Sequence, residues 1–157
     1  MVSHFSGADV YAIDPLIPYD DNDLQSNVIK RYTTRRNLAK DEVSVGWARA
    51  LAADQVARGS ACRYHMVKEF STVAANSIPG KIDFAFIDGL HTYEGVVADI
   101  AAYYPRMARG GVLMFNDYGF WTGVTRAVDE FVAREGLSLV VGARGVPPGH
   151  SNAAVVL

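Results

Sequence analysis

The segment IDFAFIDGLHTYEGVVADIAAYYPRMARGGVLMFNDYGFWTGVTRAVDEF, residues 82–131, constrains the fold more than any other part of the chain. It reads as strand, polar loop, amphipathic helix, Gly-Gly turn, strand, polar loop, amphipathic helix. Near-continuous apolar strands alternating with helical periodicity are the pattern of a parallel sheet covered by helices. Both strands end in an aspartate: Asp88 after FAFI, and Asp117 after VLMFN. Open parallel sheets bind ligands where their strands end at the carboxyl edge. Two carboxylates delivered to that edge by neighbouring strands make a candidate metal or substrate site.

The flanking sequence extends the same pattern. Residues 8–13 (ADVYAI) form a short apolar strand that ends at Asp14-Pro15, where proline stops the ladder. Residues 16–39 read as a long loop with an acidic cluster (Asp20, Asp21, Asp23) and a basic one (Lys30, Arg31, Arg35, Arg36). Residues 41–58 read as a helix capped by Asp41, with Val45, Ala48, Leu51, Ala52 and Val56 on its apolar face. A strand is expected over 62–67, then a short helix over 71–77 with Ser71 as its N-cap.

The helix over 92–107 is expected to face inward with Val96, Val97, Ile100, Ala101 and Tyr104, and to end at Gly110-Gly111. A buried strand over 112–115 follows. The helix over 123–134 presents Val124, Ala127, Val128, Phe131 and Val132. Strands over 137–141 and 153–157 are expected to pair as an antiparallel hairpin. The fold class is therefore α/β, a doubly wound and mostly parallel sheet with an antiparallel C-terminal hairpin.

Bulk properties narrow the function. A chain of 157 residues is expected to be a single domain. The net charge of −2 offers no general attraction to nucleic acid or to an anionic membrane. The N-terminus lacks the pattern of a secretory signal, and no apolar run is long enough to span a bilayer. Cys62 is the single cysteine, so no internal disulfide can form. A reducing, cytoplasmic setting is the expectation.

Each candidate chemical group has a plain alternative. Asp14, just past the first strand, is placed to accept hydrogen bonds from ribose hydroxyls, or simply opens the turn before Pro15. Asp88 and Asp117 suit a hard cation such as Mg2+, which prefers oxygen ligands and could lower the pKa of a bound hydroxyl. They equally suit turns after strands. Asn116 adds a further oxygen or bonds the loop backbone. His91, in the loop after Asp88, is a natural general base, though a lone loop histidine is more often solvated. Phe70 can cover a flat ring or pack in the core, beside the capping Ser71.

Taken together, IDFAFIDGLHTYEGVVADI, GGVLMFNDY and GVTRAVDEF resemble the class I S-adenosylmethionine-dependent methyltransferases. The branch is the one that contains macrolide-sugar O-methyltransferases and cephalosporin-hydroxylase-like proteins. DVYAIDP resembles the second strand of that family. The resemblance implies a Rossmann-like methyltransferase fold that binds S-adenosylmethionine and acts on a hydroxyl of a small molecule such as a sugar or natural product. It implies that Asp14 contacts the ribose, Phe70 and Ser71 lie nearest the adenine, and Asp88 lies near the methionine end. Asp88 and Asp117 would be metal ligands, and His91 the base.

Two departures accompany the resemblance. Leu90 stands where many relatives carry another Asp. The first strand and its Gly-rich loop should precede DVYAID, yet seven residues precede Ala8 and Gly7 is their only glycine. The expectation is an N-terminally truncated domain that lacks the first, central strand. An exposed strand edge invites pairing with another copy, so a homo-oligomer is expected. A non-catalytic remnant or interaction protein, and another nucleotide-binding α/β domain, are the competing readings.

Overall fold

The computed structural model describes residues 7–15, 62–142 and 151–157. The expected loop over 16–39, the helix over 41–58 and residues 143–150 of the loop expected over 142–152 lie outside the described residues. The chain divides into two compact units, Met1–Phe70 and Ser71–Leu157.

In the first unit, β1 (Asp9–Ile13) pairs in parallel with β2 (Arg63–Val67), in register from Asp9↔Arg63 to Ile13↔Val67. The Arg63 backbone N–H donates to the Ala8 carbonyl at 2.8 Å, and the Asp14 N–H donates to the Val67 carbonyl at 3.2 Å. One face of the pair carries a charged cluster. The Arg63 guanidinium donates twice to Asp9, at 2.7 and 2.5 Å, and His65 Nε2 lies 2.9 Å from the same carboxylate. The Arg63 and His65 hydrogen bonds hold the Asp9 carboxyl well below the usual range. Tyr11 stacks on His65 with centroids 4.5 Å apart. These cross-strand pairs follow directly from the register.

The second unit is built around a four-stranded sheet of order β3-β4-β6-β5: β3 (Ile82–Ile87), β4 (Met107–Tyr118), β5 (Leu139–Val141) and β6 (Ser151–Val156). β3 and β4 run parallel, while β4–β6 and β5–β6 are antiparallel. The expected C-terminal hairpin is present as β5–β6. Its strands are shifted by about two residues from the expected limits.

Short helix α1 (Ser71–Ala74) runs on into a 3-10 turn, Ala75–Ser77. Helix α2 (Tyr93–Tyr103) starts at Thr92, whose hydroxyl accepts the Gly95 N–H at 3.1 Å, and Glu94 sits in its first turn, where the helix dipole favours a carboxylate. Its buried stripe is Val96, Asp99, Ile100 and Tyr103. Of the expected face, Val96 and Ile100 are buried and Tyr104 packs against the core, but Val97 and Ala101 are exposed, and a carboxylate takes a core-facing position.

Pro105 lacks an N–H, so the helix tightens into a 3-10 turn (Tyr104–Arg106) and ends there. Gly110-Gly111 therefore does not end the helix. It lies inside the long strand β4, opposite the register slip between Ile82 and Phe84.

Helix α3 (Thr122–Glu135) buries Val124, Ala127, Val128 and Phe131, the face expected from its spacing, and ends at left-handed Gly136. α2 and α3 close over one sheet face, where Leu113 and Phe115 of β4 and Val155 of β6 are fully buried. Phe131 meets Phe115 edge-on at 6.2 Å and Tyr104 at 4.9 Å. Each such large apolar side chain contributes roughly 1.5–3 kcal/mol by burial. On the opposite sheet face Phe86, Val140 and Val156 are exposed.

Candidate active site

Strand register builds the site. Ile87 pairs with Phe115, so Asp88 and Asn116 emerge side by side one step beyond the ladder. The Asn116 amide donates to Asp88 Oδ1 at 2.9 Å. On the other side of β4, the ladder to β6 passes from Phe115↔Ala153 to Tyr118↔Ser151. β4 therefore spends one more residue than β6 across this interval, which is a β-bulge. Asp117 sits in the bulge at φ 55°, the one described non-glycine residue with positive φ. Asp tolerates this conformation better than most residues, and bulges re-aim side chains at functional edges. The Ser151 hydroxyl donates to the Tyr118 carbonyl at 2.6 Å and fixes the far side of the bulge.

The bulge turns Asp117 toward His91. His91 Nε2 lies 3.3 Å from Asp117 Oδ2 and 3.7 Å from Asp88 Oδ1. The imidazole is almost enclosed, with 11 % of its side chain exposed, against 50 % for Asp88. It lies nearly parallel to the Trp121 indole, centroids 5.5 Å apart. Trp121 is held there by a close approach of backbones. A Cβ on Gly123 would fall 2.7 Å from the Tyr93 nitrogen and 3.0 Å from the His91 carbonyl. Only glycine lets the first turn of α3 rest on the His91 loop.

The expected residues separate into groups. Asp88, His91 and Asp117 come together. Asp14 follows β1 in the first unit, and Phe70, also assigned to that unit, is 54 % exposed, so it does not pack in a core. Ser71 begins the second unit. Its hydroxyl donates to Asp99 Oδ1, and its carbonyl accepts the Tyr103 hydroxyl at 2.8 Å. Burial pushes the Asp99 carboxyl up, against the opposing Ser71 hydrogen bond. Burial, with the Asp99 charge adding to it, pushes the Tyr103 phenol up to about 12.

Asp99 was not singled out from the sequence. The available signal was a carboxylate three residues after Val96 and one before Ile100, on an otherwise apolar stripe. Among the described residues, no group of three or more His, Cys, Asp or Glu side chains is arranged to hold a metal ion. The two aspartates converge on His91 Nε2.

The sequence matches the family described as "Methyltransferase domain" over residues 5–118. The chain belongs to this methyltransferase family. The solved structure of the O-methyltransferase NovP superposes with a TM-score of 0.58 at 18 % identity, covering 92 % of this chain and 58 % of NovP. The apo structure of CalS11, a TDP-rhamnose 3'-O-methyltransferase of calicheamicin biosynthesis, gives 0.52 at 15 % identity over 94 % of this chain and 58 % of that protein. The O-methyltransferase TomG from Streptomyces achromogenes, involved in tomaymycin synthesis and solved with SAM, gives 0.51 at 14 % identity, covering 71 % and 57 %. These likenesses establish the fold. The methyltransferase domain spans less than two thirds of the length of each of these proteins. It is a class I, Rossmann-like methyltransferase fold whose unit-two sheet ends in the aspartate-flanked histidine. No described helix is long and apolar enough to cross a membrane.

Proposed function

We propose that this domain methylates a hydroxyl group of a small molecule, a sugar or a natural product, with S-adenosylmethionine as methyl donor. The observation that carries the reading is His91 Nε2, set between Asp117 and Asp88 at the carboxyl edge of β3 and β4. S-adenosylmethionine supplies an electrophilic methyl group on sulfonium. His91 removes the hydroxyl proton as the acceptor oxygen forms its bond to the methyl carbon. S-adenosylmethionine would give up that methyl group as its carbon–sulfur bond breaks, the electron pair leaving on sulfur as the neutral thioether. The proton ends on the His91 imidazole, whose Nε2 faces two carboxylates that balance the new positive charge. Holding oxygen, methyl and sulfur in line supplies most of the remaining acceleration.

In this reading Asp14 holds the ribose, Phe70 and the Ser71 segment face the adenine, and Asp88 faces the methionine end. The TDP-sugar and natural-product settings of CalS11 and TomG support the acceptor class. Magnesium enters the same reading as an optional second role for Asp88 and Asp117. Carboxylate pairs suit a cation that keeps most of its waters.

The test is transfer of a labelled methyl group from S-adenosylmethionine to a panel of nucleotide sugars and hydroxylated aromatics, with and without Mg2+. Labelled product from the unaltered protein, lost in His91→Ala, is the expected result. Equal labelling by both proteins removes His91 from the mechanism.

A further inference from the structure

Asp99 is the one charged residue among those buried in the described chain, with 6 % of its surface exposed. An ionised carboxylate in such a position is costly unless something uses it. Two neighbours define what it does. Oδ1 accepts the hydroxyl of Ser71, at the start of α1. Oδ2 faces Gly89, where an added Cβ would lie 3.0 Å from it. Gly89 directly follows Asp88, so a single carboxylate on α2 bonds the Ser71 segment and stands beside the loop that carries Asp88. Tyr103, one turn further along α2, adds a second tie through its hydroxyl to the Ser71 carbonyl. A Cβ at 89 would require the carboxylate to give by a few tenths of an ångström, so glycine leaves room for it here.

We propose that Asp99 is a positioning residue of the cofactor site: a buried latch that sets the spacing between Ser71 and the Asp88–Gly89 loop. The inference rests on the proposed binding of S-adenosylmethionine, to which Ser71 and Asp88 are assigned. It assigns Asp99 no contact with the cofactor. Asp99 acts through the two segments it joins. A side chain that served packing alone at this place on an apolar stripe would be leucine or valine.

The experiment is a double-mutant cycle of Ser71→Ala and Asp99→Leu, read by calorimetric titration with S-adenosylhomocysteine and by amide hydrogen exchange of the free protein. Each single variant is expected to weaken S-adenosylhomocysteine binding about tenfold, and the double variant to be no weaker than Asp99→Leu alone, because leucine cannot accept the Ser71 hydroxyl and both changes break one latch. Exchange at Gly89 and Leu90 is expected to quicken in all three variants while the melting temperature of Asp99→Leu does not fall. Unchanged affinity in the single variants, or losses that add in the double variant, overturn the latch. If the unaltered protein fails to bind S-adenosylhomocysteine, the cofactor assignment fails instead. The exchange measurement then decides the latch alone, and unchanged rates at Gly89 and Leu90 overturn it.

Discussion

Gly123→Ala tests whether the His91 loop and helix α3 are fitted as tightly as the geometry requires. In an ordinary helix this change stabilises, by about 1 kcal/mol from helix propensity. Here the new Cβ would stand 2.7 Å from the Tyr93 nitrogen and 3.0 Å from the His91 carbonyl. Both are backbone atoms, so no flexible side chain can yield. Ordinary van der Waals contact begins near 3.4 Å, so the helix start must move by about 0.7 Å. Overpacking of this kind costs roughly 1–3 kcal/mol, and a backbone clash belongs at the upper end.

Setting about 3 kcal/mol against the propensity gain leaves a net loss near 2 kcal/mol. For a chain of this size that lowers the melting temperature by about 4–8 °C. Movement of α3 also carries Trp121 away from the His91 ring, so turnover should fall by more than stability explains. Urea unfolding gives the sign directly. A Gly123→Ala protein more stable than the parent, with unaltered turnover, would refute the close packing of α3 on the loop.

His91→Gln is expected to lower methyl transfer by about 10²–10⁴-fold while S-adenosylhomocysteine binding by calorimetry stays within about threefold. Asp117→Val should destabilise the protein, because a β-branched residue resists φ 55°, whereas Asp117→Gly should keep stability and lose turnover. Thermal melts and labelled-methyl assays on the two variants separate backbone strain from the role of the carboxylate. The raised Asp99 carboxyl predicts a pH effect with a definite sign. The fold binds that proton more tightly than the unfolded chain does, so its contribution is greatest below 3.8 and is lost as pH rises through the folded value. Asp99→Asn should therefore gain stability relative to the parent between pH 4 and pH 7 in urea titrations. Phe131→Ala, which empties the contact with Phe115 and Tyr104, should cost about 3–5 kcal/mol in the same assay.

Periodicity exposed the elements that obey a single rule. β3 matched its apolar run residue for residue, and α3 matched because Val124, Ala127, Val128 and Phe131 form an unbroken stripe. On α2 the stripe was right at Val96, Ile100 and Tyr104 and wrong at Val97 and Ala101, because Asp99 hides part of it behind a charge. A polar residue on the core side is invisible to patterning until its partner, Ser71, is known. Gly110-Gly111 looked like the end of a helix, but Pro105 had already ended it and the glycines lie within β4. The Asp88, His91 and Asp117 grouping was legible, since each follows or lies near a strand end. How they meet was not. It depends on a bulge of one residue between β4 and β6, and register is a property of two strands. The Asp9, Arg63 and His65 cluster escaped for the same reason.

Binding of S-adenosylmethionine underlies every role proposed for this domain. Isothermal titration of the unaltered protein with S-adenosylmethionine, with and without Mg2+, measures it. Saturable one-site binding is expected, weakened by Asp14→Ala and left intact by His91→Gln. No heat of binding under either condition would contradict it.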